Sequence, residues 1–261
     1  MMDELIERAA ELLATRGPVV VFTGAGVSTE SGIPDFRSTT GLWARYDPDD
    51  FSFQNFLGSE DGRRRYWALG RELYATIRAA APNAAHHAIA ELDCLGLLDC
   101  VITQNIDNLH QRAGTAPEKV IELHGNATRA RCLGCGVAYT RDELQERLEA
   151  GEPVAGCGAC GGIIKPHTVL FGEPMPGREV RLAEERARAA GSFVVVGSSL
   201  VVYPAAYMPV YARQSGARLV IVNLVPTHFD HLADVVIPGK AGEVMARLVA
   251  QIQARAVPRW P

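Results

Sequence analysis

Four cysteines stand in two pairs, Cys132-x-x-Cys135 and Cys157-x-x-Cys160, with 21 residues between the pairs. Gly134, Gly136, Gly156, Gly158, Gly161 and Gly162 surround them. Two tight turns of this kind bring four thiolates to one tetrahedral ion, and glycine lets the backbone donate to the sulfurs without steric conflict. The pattern therefore points to a structural zinc held by Cys132, Cys135, Cys157 and Cys160. A catalytic zinc needs an open position for water, which four cysteines do not leave. Two alternatives are two unrelated pairs of reduced thiols and a redox pair. The second is the weaker, since neither pair heads a helix in a thioredoxin-like pattern.

A second constellation follows short apolar runs. Pro18 to Thr23 leads into Gly24-Ala25-Gly26-Val27-Ser28. Glycines after a strand allow a pyrophosphate to approach, and the N-terminus of a following helix favours the anion. A tight strand-to-helix turn explains the same residues, because position 29, where a third glycine is usual, is Thr29. Asp99 to Thr103 runs into the polar stretch Gln104-Asn105-Ile106-Asp107, which suits a ligand site at a strand's carboxyl end or an Asn/Asp-capped turn near Leu109. Val120 to Leu123 ends at His124-Gly125. An imidazole there can accept a proton near neutral pH, although strand-end histidines are more often satisfied core groups.

These residues need a frame. Strands are expected over Pro18–Thr23, Asp99–Thr103, Val120–Leu123, Phe193–Val196, Arg218–Val222 and Val235–Ile237. Amphipathic stretches over Asn83–Leu95, Gly177–Ala190, Pro204–Ser215 and Gly242–Ile252 lie between or after them. Strands alternating with helices imply an α/β fold with a mainly parallel sheet covered on both faces. Residues 38–81 and 126–165 break the rhythm and read as insertions that together form a smaller lobe. The 261 residues, 48% of them apolar and 21% charged, suit a large globular domain carrying a small one. A net charge of −4 argues against a nucleic-acid-binding polyelectrolyte, and Arg63-Arg64-Arg65 reads as a solvated face. The first residues, with Asp3 and Glu4 among helically spaced apolar positions, do not form a signal peptide. No apolar run reaches membrane-spanning length. The expectation is a soluble, cytoplasmic monomer, and Cys94 and Cys100 read as small buried hydrophobes rather than disulfide partners.

Taken together, several segments resemble the sirtuin family of NAD-dependent protein deacylases. They are GAGVSTESGIPDFRS over Gly24–Ser38, TQNIDNLH over Thr103–His110, His124-Gly125, the four cysteines, KPHTVLFGE over Lys165–Glu173 and GSSLVVYPA over Gly197–Ala205. The likeness spans roughly residues 17 to 245 in order, as in the compact bacterial members. It implies a Rossmann-type NAD-binding domain over 1–37, 82–125 and 166–261. It also implies a small domain of helical insertion and zinc ribbon over 38–81 and 126–165.

The resemblance assigns roles. Gly24, Ala25, Gly26, Ser28 and Thr29 match the phosphate-binding stretch, and Ile33, Asp35, Phe36 and Arg37 its mobile cofactor loop. Phe36 would shield the reactive carbon and Arg37 meet phosphate charge. Ile106 and Asp107 match residues that hold the nicotinamide carboxamide. Gln104 and Asn105 match residues beside its ribose, Asn105 with a catalytic part. His124 matches the catalytic histidine. Gly197, Ser198, Ser199, Asn223 and Leu224 fall on the adenosine side, with Lys240 and Ala241 bordering the adenine. Val169, Phe171, Gly172 and Glu173 match one edge that grips the substrate peptide, and Leu200, Val201, Val202 and Tyr203 the other.

In the implied reaction the acyl oxygen of the substrate lysine attacks C1′ of the nicotinamide ribose as nicotinamide leaves. His124 then activates a ribose hydroxyl, which attacks the imidate carbon, and the products are free lysine and O-acyl-ADP-ribose. NAD is a consumed co-substrate, and the partners are proteins acylated on lysine, not nucleic acid or membrane. Leu170 stands where many relatives carry an aromatic residue. The helical insertion lacks the Tyr-x-x-Arg pair that binds succinyl or malonyl carboxylates, so acetyl or longer neutral acyl groups are favoured. Two other readings stay open: an ADP-ribosyltransferase on the same scaffold, and a non-enzymatic NAD-binding or zinc module.

Overall fold

The computed structural model describes residues 2–35, 41–44, 46–151 and 156–256. In chain order its first helix and strand are α1 (Met2–Thr15) and β1 (Val19–Thr23), followed by α2 (Phe53–Gly58), α3 (Glu60–Ala79) and α4 (Ala84–Cys94). Next come β2 (Leu98–Thr103), α5 (Leu109–Arg112), β3 (Val120–Glu122), β4 (Gly125–Cys132), β5 (Ala138–Thr140), α6 (Arg141–Glu149) and β6 (Ile164–Thr168). The chain continues through α7 (Gly177–Ala189), β7 (Ser192–Val196), α8 (Met208–Gln214), β8 (Arg218–Asn223), β9 (Val235–Pro238) and α9 (Ala241–Ala256).

Six strands form one parallel sheet in the order β3-β2-β1-β7-β8-β9. Its strands read as unbroken apolar runs because both faces are covered. Val19, Val21, Val194 and Val196 face one core with Ile6 and Leu13 of α1, Ile89 of α4 and Leu248 of α9. Val20, Phe22, Phe193 and Val195 face the other with Ala183 of α7 and Met208 of α8. Phe22 stacks on Phe193 across the central pair, with centroids 6.2 Å apart. The α/β class is as expected, and each expected strand and helix is present to within one to four residues at its ends.

The connection order places a switch point between β1 and β7. From β1 the chain winds outward to β2 and β3, and from β7 outward to β8 and β9. The connections from β1 and β7 therefore run to opposite edges of the sheet, and a crevice opens at the carboxyl ends of these strands.

The two insertions pack on each other. Strands β5, β4 and β6 form a three-stranded antiparallel sheet. Its residues Ala130, Cys132 and Ile164 share an apolar cluster with Phe56, Trp67, Leu144 and Leu170. Arg141 fastens α6 to α3. Its guanidinium carbon lies 5.0 Å from the Trp67 ring centre and 4.7 Å from that of Tyr74, and its Nη2 donates to the Gly70 carbonyl at 3.0 Å.

Four local features differ from expectation. Helix α6 is not among the expected elements, although Thr140-x-x-Glu143 carries a start signal: the two side chains cap it reciprocally at 3.3 and 3.0 Å. The stretch expected as one helix from Pro204 is a 3₁₀ turn, Ala205–Tyr207, followed by α8 with Pro209 in its first turn. The glycine-rich turn leads not into an α-helix but into two 3₁₀ turns, Ala25–Val27 and Thr29–Ser31. Gly32 ends the second in the left-handed conformation (φ 84°), and Pro34 two residues on has no N–H with which to extend a helix. Finally, Cys100 on β2 is buried as expected, whereas Cys94, the last residue of α4, is exposed. Among the described residues no helix is long and apolar enough to cross a membrane.

Candidate functional site

The crevice holds a cavity of about 720 Å³. Its floor is backbone. Gly24, Ala25 and Gly26 after β1 meet Gly197, Ser198 and Ser199 after β7, and all six line it. Gly26 N–H donates to the Gly197 carbonyl at 2.8 Å, and Gly24 N–H to that of Val196 at 3.2 Å. A Cβ on Gly24 or Gly26 would lie 2.8 Å from the Gly197 backbone, and Gly197 itself has a φ of 62°. These glycines are required first by the close meeting of two chain segments. Asn223, Leu224, Lys240 and Ala241 close one end of the cavity, and Thr29 and Asp35 line it as well.

At the other end stand Gln104, Asn105 and His124. Gln104 leaves β2 with its N–H on the Thr23 carbonyl, and its side chain donates to Ser198 Oγ at 2.9 Å. Its own carbonyl accepts from His124 Nδ1 at 2.9 Å. A carbonyl can only accept, so Nδ1 carries the proton and Nε2 is the ring atom that takes one up. Gly125 behind it (φ 76°) lets β4 pass against β6, where a Cβ would stand 2.0 Å from the His167 carbonyl oxygen.

Asn105 joins this end to a second, smaller cavity that it lines with Ala25, Ser28, Ile33, Ile106 and Asp107, closed by Leu73 and Ile77 of α3. A buried polar network fixes its wall. Asn105 Nδ2 donates to the Gly24 carbonyl at 3.2 Å and to Ser28 Oγ at 3.1 Å, and Ser28 Oγ donates to Asp107 Oδ2 at 2.7 Å. Asp107 Oδ1 meanwhile accepts from Leu109 N–H at 2.9 Å, so a turn cap and a polar wall are one carboxylate.

Sequence reasoning does not reach the histidines behind this wall. His86 Nε2 lies 3.4 Å from Ser28 Oγ, and His110 Nε2 lies 2.9 Å from Thr23 Oγ1. Burial pushes His86 down to about 4 and His110 to about 3, so both stay neutral at physiological pH. His110 closes the TQNIDNLH stretch, but only the fold brings α4 and α5 against Ser28 and Thr23. Glu30 is missed in the same way. It lines the main cavity and accepts from Gly242 N–H at the start of α9 at 2.7 Å.

The residues expected to grip a peptide lie beside His124 rather than in the cavity floor. Val169 N–H donates to the His124 carbonyl at 2.9 Å. Phe171 and Val201 are exposed, Gly172 sits between Phe171 and Glu173 with a φ of 74°, and Val202 lines the cavity. The Glu173 carboxylate faces inward onto Lys165 at 2.9 Å. Leu170 is buried in the small apolar cluster with Phe56 and Trp67. Phe36 and Arg37 lie outside the described residues.

The four cysteine Sγ atoms all fall within 4.8 Å of one another. Cys132 and Cys160 are 3.5 Å apart, and Cys135 and Cys157 3.6 Å. Thiolates bound at ~2.3 Å around a tetrahedral zinc stand ~3.8 Å apart, so the cluster has the dimensions of such a site. Backbone N–H groups of Gly134 and Gly162 and the Tyr139 hydroxyl donate to the sulfurs, at 3.3, 3.4 and 3.0 Å. These donors offset thiolate charge. A Cβ on Gly162 would stand 3.0 Å from Cys132 Sγ, which explains the glycine there. No fifth direction is open among four thiolates, so the chemistry of this donor set is structural.

A doubly wound nucleotide-binding sheet, with a histidine at the crevice and a four-thiolate ribbon beside it, defines the class. Residues 24–204 match the Sir2 family model, and the chain belongs to that family. It is 47% identical over 253 residues to "NAD-dependent protein deacylase 2" of Archaeoglobus fulgidus, covering 97% of this chain and 98% of that one. A Sir2 enzyme solved with deacetylated p53 peptide and 3′-O-acetyl-ADP-ribose is similar at 39% identity and a TM-score of 0.86, covering 96% of this chain and 98% of that one. Another, bound to a myristoylated histone peptide, is 41% identical with a TM-score of 0.80, covering 97% and 98%.

The thiolate geometry has a direct consequence. Elemental analysis is expected to give about one zinc per chain, and Cys132→Ala or Cys157→Ala to release it and lower the stability of the small lobe. A stable, metal-free protein of unchanged melting temperature would contradict the assignment.

Proposed function

We propose that this chain removes acyl groups from protein lysines, consuming NAD and one water and releasing nicotinamide, O-acyl-ADP-ribose and free lysine. The observation that carries the reading is His124. It stands at the mouth of a dinucleotide-sized cavity with its protonated nitrogen tied to the Gln104 carbonyl. A module that only bound NAD would need no oriented proton acceptor there.

When bound, NAD supplies a ribose carbon that loses nicotinamide and accepts the acyl oxygen. The chain's residues do the rest. The Gly24–Gly26 turn, its shape fixed by the Gly24 and Gly26 N–H bonds to Val196 and Gly197, receives the phosphates. The small cavity walled by Ser28, Ile33, Ile106 and Asp107 takes the carboxamide, with Asn105 between it and the ribose. Asn223, Leu224, Lys240 and Ala241 take the adenosine end. His124 Nε2 withdraws the proton of a ribose hydroxyl, and Nδ1, held by the Gln104 carbonyl, keeps the ring facing it. Val169 on one side and Val201 and Val202 on the other present main-chain groups to an extended peptide, while Phe171, its carbonyl engaged by Phe53, offers its exposed side chain.

The finer parts of the proposal are a Rossmann-type domain over 1–37, 82–125 and 166–261 and a small domain over 38–81 and 126–165. The shared apolar cluster of the two insertions supports this division. A monomer in the cytoplasm, acting on acylated proteins without membrane or nucleic acid, completes the proposal, and the net charge of −4 fits a chain that is no nucleic-acid polyelectrolyte.

The catalytic assignment is tested with His124→Ala. Zinc content and melting temperature should be retained while NAD-dependent deacylation falls on the order of 10²-fold or more; near-normal turnover would remove His124 from the mechanism. Acyl choice is tested separately. Arg78 is exposed and paired with Glu149 at 3.3 Å, and Arg71 is exposed too, so neither is a buried partner for an acyl carboxylate. Acetyl-lysine peptide should be processed at least roughly tenfold more efficiently than the succinyl form, a ratio that needs only ~1.4 kcal/mol. Equal use of the two would show that a cation reaches the acyl tunnel.

A further inference from the structure

Lys165 and Glu173 form a buried ion pair, with side chains 4% and 15% exposed. Neither lines the cavity. The pair closes a short segment on itself. An ammonium has three protons, and Lys165 finds three acceptors: Glu173 Oε2 at 2.9 Å, the Pro166 carbonyl at 3.2 Å, and the Thr168 carbonyl. Glu173 Oε2 also accepts from Leu170 N–H at 2.9 Å, and Glu173 N–H returns to the Leu170 carbonyl at 3.0 Å. Residues 165–173 are thus wrapped around one cation.

The wrapped segment is attached on two sides. Val169 N–H holds the His124 carbonyl at 2.9 Å, and the Phe171 carbonyl accepts from Phe53 N–H of α2 at 2.8 Å. It therefore connects the histidine strand to the helical insertion, and it carries Val169 and Phe171. Packing alone could fill such a space with apolar side chains at similar stability, because taking two charges out of water is costly. What apolar side chains lack is direction: the cation sets where two carbonyls and a carboxylate converge.

We propose that Lys165 and Glu173 are positioning residues whose ion pair pins the peptide-facing edge, Val169 to Phe171, at a fixed distance from His124. The inference rests on the deacylase reading and adds to it the device that registers substrate with base. The pair touches neither NAD nor the reacting atoms, so its loss should act on the peptide and not on the dinucleotide.

Three variants test this: Lys165→Met, Glu173→Gln and the double variant. Lys165→Met takes the ammonium from the Glu173 carboxylate and from the Pro166 and Thr168 carbonyls, Glu173→Gln takes the counter-charge from the ammonium, and each should lower the melting temperature. The double variant removes both charges, and its new side-chain amide would still offer an oxygen to Leu170 N–H, so most of the lost stability should return. If the pair is a positioning device, the double variant keeps a KM for acetyl-lysine peptide raised about fivefold or more, while its KM for NAD stays within about twofold of wild type. A refolded double variant with the wild-type peptide KM, or with both KM values raised alike, would overturn the proposal. Wild-type protein that turns over no acyl peptide would instead refute the deacylase reading beneath it.

Discussion

Two chain segments meet at backbone distance where β1 and β7 end, and the rest of the site follows from that meeting. Gly26 and Gly197 are joined by a 2.8 Å hydrogen bond, with no room for a Cβ on either partner. A side chain there would force the two loops apart. With none, residues 24–26 line a cavity whose opposite ends lie on β2 and β8.

That contact also sets the polar network. The Gly24 carbonyl, fixed by the turn, receives Asn105 Nδ2, and Asn105 reaches Ser28, which reaches Asp107. Each member is buried and each has a partner, as a low-dielectric interior requires. His86 and His110 support this chain from behind as neutral imidazoles. His124 is oriented by a different link of the same frame, the carbonyl of Gln104, whose N–H is itself paired with β1. His124, Asn105 and the Gly24–Gly26 turn are therefore held through the ends of strands β1 and β2.

Much of this is legible in the sequence because it depends on local signals. Strands covered on both faces appear as apolar runs, and Val19–Thr23 and Ser192–Val196 follow that rule. Cysteine spacing reveals the thiolate cluster, since two Cys-x-x-Cys turns have few other uses in a chain of this size. The remainder is set by long-range geometry or by competing local preferences. The glycine-rich turn suggests a helix start, but Gly32 and Pro34 limit it to 3₁₀ turns. Glu173 reads as a peptide contact, whereas a lysine eight positions earlier turns its carboxylate inward. His86 and His110 are unremarkable on their own helices, and only the packing of α4 and α5 explains their burial. Helix α6 does carry its signal, the reciprocal cap of Thr140 and Glu143, within a segment whose glycines and cysteines dominate the pattern.

The cavity and His124 are proposed to move the acyl group from lysine to the ADP-ribose part of NAD as nicotinamide leaves. Mass spectrometry of wild-type protein incubated with NAD and an acetyl-lysine peptide tests this most directly. The account predicts one nicotinamide and one O-acetyl-ADP-ribose for each lysine freed, with no mass gained by the peptide or the protein. An intact acetyl-lysine accompanied by an ADP-ribose adduct on protein would contradict it and identify an ADP-ribosyltransferase on the same scaffold.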